Sequence, residues 1–240
     1  MEDFVMLTAN AGVLISYHGK KILIDALHDR YTTLFSSVPS ELLTHIADGD
    51  GEFAEVDLML YTHDHPDHYS ERWTRRFLKN HPNTEFVSPI ADFADRDHVH
   101  VLDAEEENLL LAGVFLHCCR LMHDGQEYAG IPNYGFVLEI DGFRIAVLGD
   151  ATFDKAAIRS MLGNRPVDLA LLNFPYVTLH RGREIVTDVI RPQRMIVFHL
   201  PYEEKDNSDF IRSTRSALRR NTMLPRAEML LEERQKIEIG

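Results

Sequence analysis

Four side chains able to bind metal, His63, His65, Asp67 and His68, fall within six residues, just after a compact apolar run at residues 57–61. The run has strand length, and a helical pattern follows from Ser70, the expected N-cap, to about Asn80. The cluster therefore lies on a strand-to-helix turn. Such a turn, held by a rigid sheet, aims neighbouring side chains in different directions and lets loops from elsewhere converge on it. Imidazole nitrogen and carboxylate oxygen suit zinc, manganese or iron. The absence of thiolates argues against a closed structural zinc site, so an open coordination position is expected.

The rest of the chain supplies such a sheet. Short, partly β-branched apolar runs at 4–7, 13–17 and 21–25 read as a meander of strands. Residues 28–55 are polar and weakly periodic and suggest a lid or an edge. Further strands are expected at 86–87, 100–102, 114–116, 135–140 and 143–148, the last two flanking the hairpin signal Asp141-Gly142. From Asp150 the pattern alternates: helices at 155–162, 183–190 and 208–220, strands at 168–172 and 195–198. Two β-rich layers with helices outside them predict a four-layered α/β/β/α sandwich, and no linker or repeat divides residues 1–240, which read as one domain.

With 25 Lys and Arg against 38 Asp and Glu, the net charge of −13 repels phosphodiester backbones. The one dense basic run, with Arg212, Arg215, Arg219 and Arg220, has apolar residues between its charges and reads as the solvated face of a helix. Nucleic acid is not an expected partner. Cys118 and Cys119 are adjacent, so they read as two buried thiols rather than a disulfide. No stretch has the length and apolarity of a membrane span, and the acidic start at residues 1–4 lacks the positive charge of a signal peptide, so a cytoplasmic location is expected.

Among 13 histidines, most are surface or satisfied core residues, which sets aside His18, His28, His45, His81, His98, His100, His117 and His180. His123 and His199 stay in play because each follows a strand-like run, and Asp150 follows Val147-Leu148-Gly149 in the same way. Convergence of these strand ends would gather seven ligands. That number fits two divalent ions better than one, with Asp150 able to bridge them.

At these residues the chain resembles the metallo-β-lactamase superfamily, whose His-x-His-x-Asp-His signature stands here as His63-Asp64-His65-Pro66-Asp67-His68. His123, Gly149-Asp150-Ala151 and His199 follow in the family's order, and Asp25 looks like its supporting aspartate. The resemblance implies a metallo-β-lactamase-like sandwich with His63, His65 and His123 on one metal, Asp67, His68 and His199 on the other, and Asp150 between them. It implies two divalent ions, zinc before manganese or iron, and a bridging hydroxide as nucleophile. The opening at residues 8–15 followed by 21–25 looks most like the lactonase-like branch, which includes ascorbate 6-phosphate lactonase. Where relatives often have Gly-His-Ser, this chain has Ala9-Asn10-Ala11; Asn10 can donate a hydrogen bond near the site but cannot act as acid or base.

The expected activity is hydrolysis of a lactone, ester or phosphodiester in a small anionic substrate, with Asp67, Asn10 and Tyr202 as candidate catalytic residues. Arg181, Arg183 and Lys205 are candidates to hold the anion, and Tyr176 and Tyr202 to orient a carbonyl. Homo-oligomer formation is left open. Two rival readings share the fold: a diiron redox enzyme, against which stands His65 where those relatives place Glu, and a non-catalytic metal-binding scaffold.

Overall fold

The computed structural model describes residues 2–30 and 33–240. The early runs form the expected antiparallel meander, β1 (Phe4–Ala9), β2 (Gly12–Tyr17) and β3 (Lys20–Ile24). Their sheet continues in parallel through β4 (Leu58–Leu60), β5 (Glu85–Ser88) and β6 (Val99–Val101). A second sheet holds β7 (Glu106–Leu111), β8 (Val114–Leu121), β9 (Asn133–Ile140), β10 (Phe143–Val147), β11 (Leu169–Asn173), β12 (Arg194–Phe198) and β13 (Arg226–Met229), with β13 and β7 at its edges. The chain then returns, and β14 (Lys236–Glu238) pairs antiparallel with β1.

Every residue of β1 and β2 is buried, as a strand apolar on both faces requires. One core joins both sheets to α1 (Ser40–Asp48) and α2 (Glu71–Asn80): Leu42, Ile46 and Phe77 share it with Leu14, Phe136 and Leu138. A second core lies on the far side of the second sheet, where α3 (Lys155–Leu162), α4 (Pro175–Thr178), α5 (His180–Ile185) and α6 (Phe210–Arg220) bury Ile158, Val177, Ile185 and Ile211. The layers run α/β/β/α, as expected. Asp141 and Gly142, at φ 50° and 86°, are both left-handed, as a tight two-residue hairpin between β9 and β10 demands.

Several local readings change. Residues 28–55, of which Tyr31 and Thr32 lie outside the described residues, hold α1 and a 3-10 turn at Gly51–Phe53 rather than a free lid. Leu42, Leu43, Ile46 and Ala47 recur at helical spacing, and Gly49 closes the helix in the left-handed region. Ser70 stands at the N-cap of α2 with extended backbone, yet its side chain makes no capping bond. Burial of Trp73, Thr74, Phe77 and Leu78 holds that helix instead, with a 2.7 Å hydrogen bond between the Tyr61 hydroxyl and Thr74 Oγ1. The helix expected over 183–190 starts at His180 and ends in a π-turn, Val186–Ile190. Edge strands β7, β13 and β14 escaped the sequence reading because they are short or rich in charge. Cys118 and Cys119 are both free and buried. No helix among the described residues is long and apolar enough to cross a membrane.

The weight carried by the α2 face is measurable. Phe77 is fully buried, so Phe77→Ala should lower unfolding stability by about 3–5 kcal/mol in a urea titration. A loss below about 1 kcal/mol would contradict this account of how α2 is held.

Candidate metal centre

The turn after β4 carries His63, His65, Asp67 and His68, while His123 follows β8, Asp150 follows β10 and His199 follows β12. Backbone bonds stitch these loops together. Tyr134 N–H donates to the Thr62 carbonyl (2.9 Å), Asp124 N–H to the Asp150 carbonyl (2.8 Å), and His199 N–H to the Asn10 carbonyl (2.9 Å). An isolated bridge also pairs His123 with Ala151.

The side chains fall into two groups. In the first, His63, His65, His123 and Asp150 bring one donor atom each within 4.8 Å of one another, and Asp67, His68 and His199 do the same in the second. His63 Nε2 lies 3.1 Å from His65 Nδ1 and 3.8 Å from Asp150 Oδ2. His68 Nε2 lies 3.1 Å from His199 Nε2, and Asp67 Oδ2 is 3.8 Å from the latter. Donors about 2.1 Å from a tetrahedral ion are about 3.4 Å apart, so both groups have coordination spacing. Asp150 faces both: Oδ2 is 3.8 Å from His123 Nε2 and 3.6 Å from His68 Nε2, while Oδ1 is 3.5 Å from His199 Nε2.

The hydrogen bonds behind the cluster decide which nitrogens face inward. Asp25, buried at the end of β3, accepts from Thr62 N–H (2.8 Å), Thr62 Oγ1 (2.7 Å) and His68 Nδ1 (2.9 Å). The Thr62 hydroxyl, its proton given to Asp25, accepts from His63 Nδ1 at 2.9 Å. His123 Nδ1 donates to the Asp124 carbonyl at 2.6 Å. Carboxylates and carbonyls only accept, so the outward nitrogens of His63, His68 and His123 carry protons and each Nε2 points inward. His123 Nε2 is buried with no hydrogen-bond partner among the described residues, as befits a metal ligand. The residues present fit a divalent ion in each group.

Electrostatics agree. Burial acts to lower the pKa of His68, but the Asp150 and Asp25 carboxylates outweigh it and hold the pKa well above the usual value. Burial likewise opposes the charge on Asp150, which His199 and His68 nevertheless keep well below the carboxylate range. Burial, aided by His68, drives His63 well down, so it is neutral and ready to ligate. The cluster holds carboxylates that demand positive charge, which a divalent ion would supply.

The other candidates are placed differently. Asn10, left-handed at φ 47°, donates from Nδ2 to Asp67 Oδ2 (3.1 Å) and to the Asp67 carbonyl (3.3 Å), so it positions a ligand. Tyr202, expected to be catalytic, faces away: its buried hydroxyl donates to the Thr8 carbonyl at 2.5 Å, and its ring borders a different cleft, with Glu203 and Glu204. The Tyr176 hydroxyl is committed to the Ala151 carbonyl at 2.9 Å, leaving the ring as wall. Arg183 donates to the Val177 and Thr178 carbonyls, Lys205 lies over the Tyr202 ring, and Arg181 is exposed. None of these three cations lines the cavity over the metal groups. That cavity, about 220 Å³, is walled by Phe35, Tyr128, Phe153, Phe174 and Tyr176, with no Lys or Arg among its described lining residues.

Two supporting residues went unnoticed in the sequence. Asn173 Nδ2 donates to Asp150 Oδ1 (2.6 Å) and to the Gly149 carbonyl (3.0 Å), and Asn133 Oδ1 accepts from Asp150 N–H at 3.0 Å. Asn173 closes an apolar strand, the same signal that singled out Asp150 and His199. His28, set aside as structural, is fully buried behind the cluster with Nε2 donating to the Ala9 carbonyl at 3.2 Å; burial chiefly lowers its pKa to about 4, so it stays neutral. Gly149, at φ 56°, is required where it stands, because a Cβ there would lie 2.3 Å from Asn133 Oδ1 and 2.9 Å from Thr62 Cβ. Asp25→Asn should keep the fold and lower metal affinity about 10–100-fold, read by competition with a chromogenic chelator. Affinity unchanged would remove Asp25 from the account.

Solved structures share this fold at low identity. A protein of Veillonella parvula DSM 2008, named as a possible metal-dependent hydrolase, superposes with a TM-score of 0.71 at 16% identity, over 99% of this chain and 100% of that one. An isothiocyanate hydrolase from Delia radicum gut bacteria gives 0.65 at 16% identity, over 99% and 98%. CmlA, a diiron β-hydroxylase from Streptomyces venezuelae, gives 0.60 at 16% identity over 99% of this chain, which spans about half (54%) of the length of that protein. No curated protein matches the sequence significantly. The profile of the family described as "Beta-lactamase superfamily domain" matches residues 6–172, which take in the meander, the His63–His68 turn, His123 and Asp150, and the chain belongs to that family.

Proposed function

We propose that this chain is a metal-dependent hydrolase with a dinuclear centre, residues 1–240 acting as one unit, that cleaves an ester or lactone in a small substrate whose non-reacting part is apolar. The observation that carries the reading is the paired donor geometry around Asp150, with the unpartnered His123 Nε2 inside it. Two bound divalent ions would supply a water of lowered pKa as nucleophile and positive charge for the developing oxyanion. Asp25 and Thr62 hold His63 and His68 in ligating orientation, Asn10 holds Asp67, and Asn173 holds Asp150. Phe35, Phe153, Phe174 and Tyr176 exclude water and hold the substrate's apolar part.

A cavity of about 220 Å³ has room for about seven waters, which limits the enclosed part of the substrate to a short acyl or single-ring group. The lactonase-like resemblance supports ring or ester cleavage. The absence of Lys and Arg from the described lining weighs against a phosphate held away from the metals. The likeness to an isothiocyanate hydrolase adds a precedent on this fold for adding water to a small uncharged electrophile.

The test is a panel of short and aryl esters, lactones and phosphodiesters, assayed with zinc-, manganese- and iron-loaded protein. Esters or lactones should be preferred, chelation should abolish turnover, and Asp67→Ala should lose bound metal and at least about a hundredfold in activity together. Phe174→Ala should raise KM for an aryl ester roughly tenfold with little change for an acetyl ester. Preference for phosphodiesters would overturn the apolar-substrate reading. Tightly bound iron with oxygen-dependent chemistry and no hydrolysis would move the assignment to the diiron redox class, and retained activity in Asp67→Ala would remove the dinuclear centre from it.

A further inference from the structure

Among the described residues, a further group of metal-competent side chains outside the centre comes together on the β7–β8 hairpin. The antiparallel register sets Glu106 opposite Cys119 and Asn108 opposite His117. Residues two apart on a strand share a face, so His117 and Cys119 point to the same side, and cross-strand register brings Glu106 and Asn108 there as well. Cys119 belongs to the core on the helical side of the second sheet, whereas Cys118 belongs to the core between the sheets. The adjacent thiols therefore serve different surroundings.

The contacts on this face resemble those of the main centre. Asn108 Oδ1 accepts from His117 Nδ1 at 2.8 Å, which leaves His117 Nε2 as the ligating nitrogen. That nitrogen is 3.0 Å from Cys119 Sγ and 3.6 Å from Glu106 Oε1, and one donor atom from each of the three residues lies within 4.8 Å of the others. Tetrahedral coordination by sulfur and nitrogen sets donors about 3.5 Å apart, so a small adjustment closes the site. A thiol–imidazole hydrogen bond accounts for the 3.0 Å contact alone, but not for a third donor converging on an imidazole whose tautomer is already set.

We propose that Glu106, His117 and Cys119 form a second, independent site for a zinc-class transition-metal ion, with Asn108 as its orienting residue and one position open to solvent. A thiolate, an imidazole and a carboxylate select zinc, cobalt or copper over magnesium, calcium or manganese. Their two negative charges neutralise one divalent ion. Burial and Glu106 push the Cys119 thiol up to about 12, so the ion displaces a proton on binding rather than meeting a ready thiolate. None of these three residues belongs to either group of the main centre, so the two sites do not share ligands.

Cobalt(II) titration of the metal-free full-length chain tests this directly, because the seven residues of the main centre include no thiol. Wild type should develop a near-ultraviolet thiolate-to-cobalt charge-transfer band and bind one more equivalent than Cys119→Ser, which should lack the band. Cys118→Ser and Asp67→Ala should keep it. Glu106→Gln, at an exposed edge position where folding is not at stake, should weaken cobalt binding at this site at least tenfold, and Asn108→Leu about 10–100-fold. No thiolate band at saturating cobalt, a band that survives Cys119→Ser, or one whose midpoint is unmoved in Glu106→Gln would overturn the assignment. None of these readouts depends on hydrolase activity.

Discussion

The buried carboxylate of Asp25 is the point on which the centre rests. It closes β3 in a left-handed conformation and takes three hydrogen bonds, from Thr62 N–H, the Thr62 hydroxyl and His68 Nδ1. A buried charge is tolerated only when its lone pairs are satisfied and positive charge is near. Those conditions tie the end of β3 to the start of the metal-binding turn, and through the Thr62 hydroxyl they also set His63. One residue from the first sheet thus orients a ligand in each group.

The second sheet solves the matching problem for Asp150. Its carboxylate must face two groups at once, so it is held at one oxygen and at its backbone: Asn173 donates to Oδ1, Asn133 anchors the backbone N–H, and Gly149 lets the turn approach Thr62 closely. Asn133 and Asn173 stand at the ends of β9 and β11, and sheet-anchored supports of this kind keep seven donors at coordination spacing against mutual repulsion. Phe153, Phe174 and Tyr176 of the aromatic wall pack onto the core on the helical side of the same sheet and so stand beside the donor groups.

Much of this was legible because the relevant signals are local. Four ligands lie in one turn, and His123, Asp150 and His199 each terminate an apolar run, so strand-end position alone picked them out. Asn173 obeys the same rule and could have been found by it. Tyr202 and the candidate cations Arg181, Arg183 and Lys205 were chosen for chemical type and nearness in sequence, which say nothing of direction. The fold turns the Tyr202 hydroxyl into a buried contact with Thr8 and spends the Arg183 guanidinium on helix carbonyls. His28 is the structural histidine expected, but a lone histidine in a polar stretch carries no periodicity, and only packing places it behind the cluster.

Residue order and chemical type pointed to the layered α/β/β/α architecture and picked out the seven candidate side chains, because strand periodicity, hairpin turns and donor chemistry are local signals, and the His63–His68 signature carried the resemblance to the family. Tertiary structure alone decided which imidazole nitrogens face inward, that Asp150 stands between the two groups, that the cavity is aromatic rather than cationic, and that Cys119 and Cys118 face opposite cores. Those properties depend on the distance and direction between atoms far apart in the chain, and only the packing of the two sheets sets them.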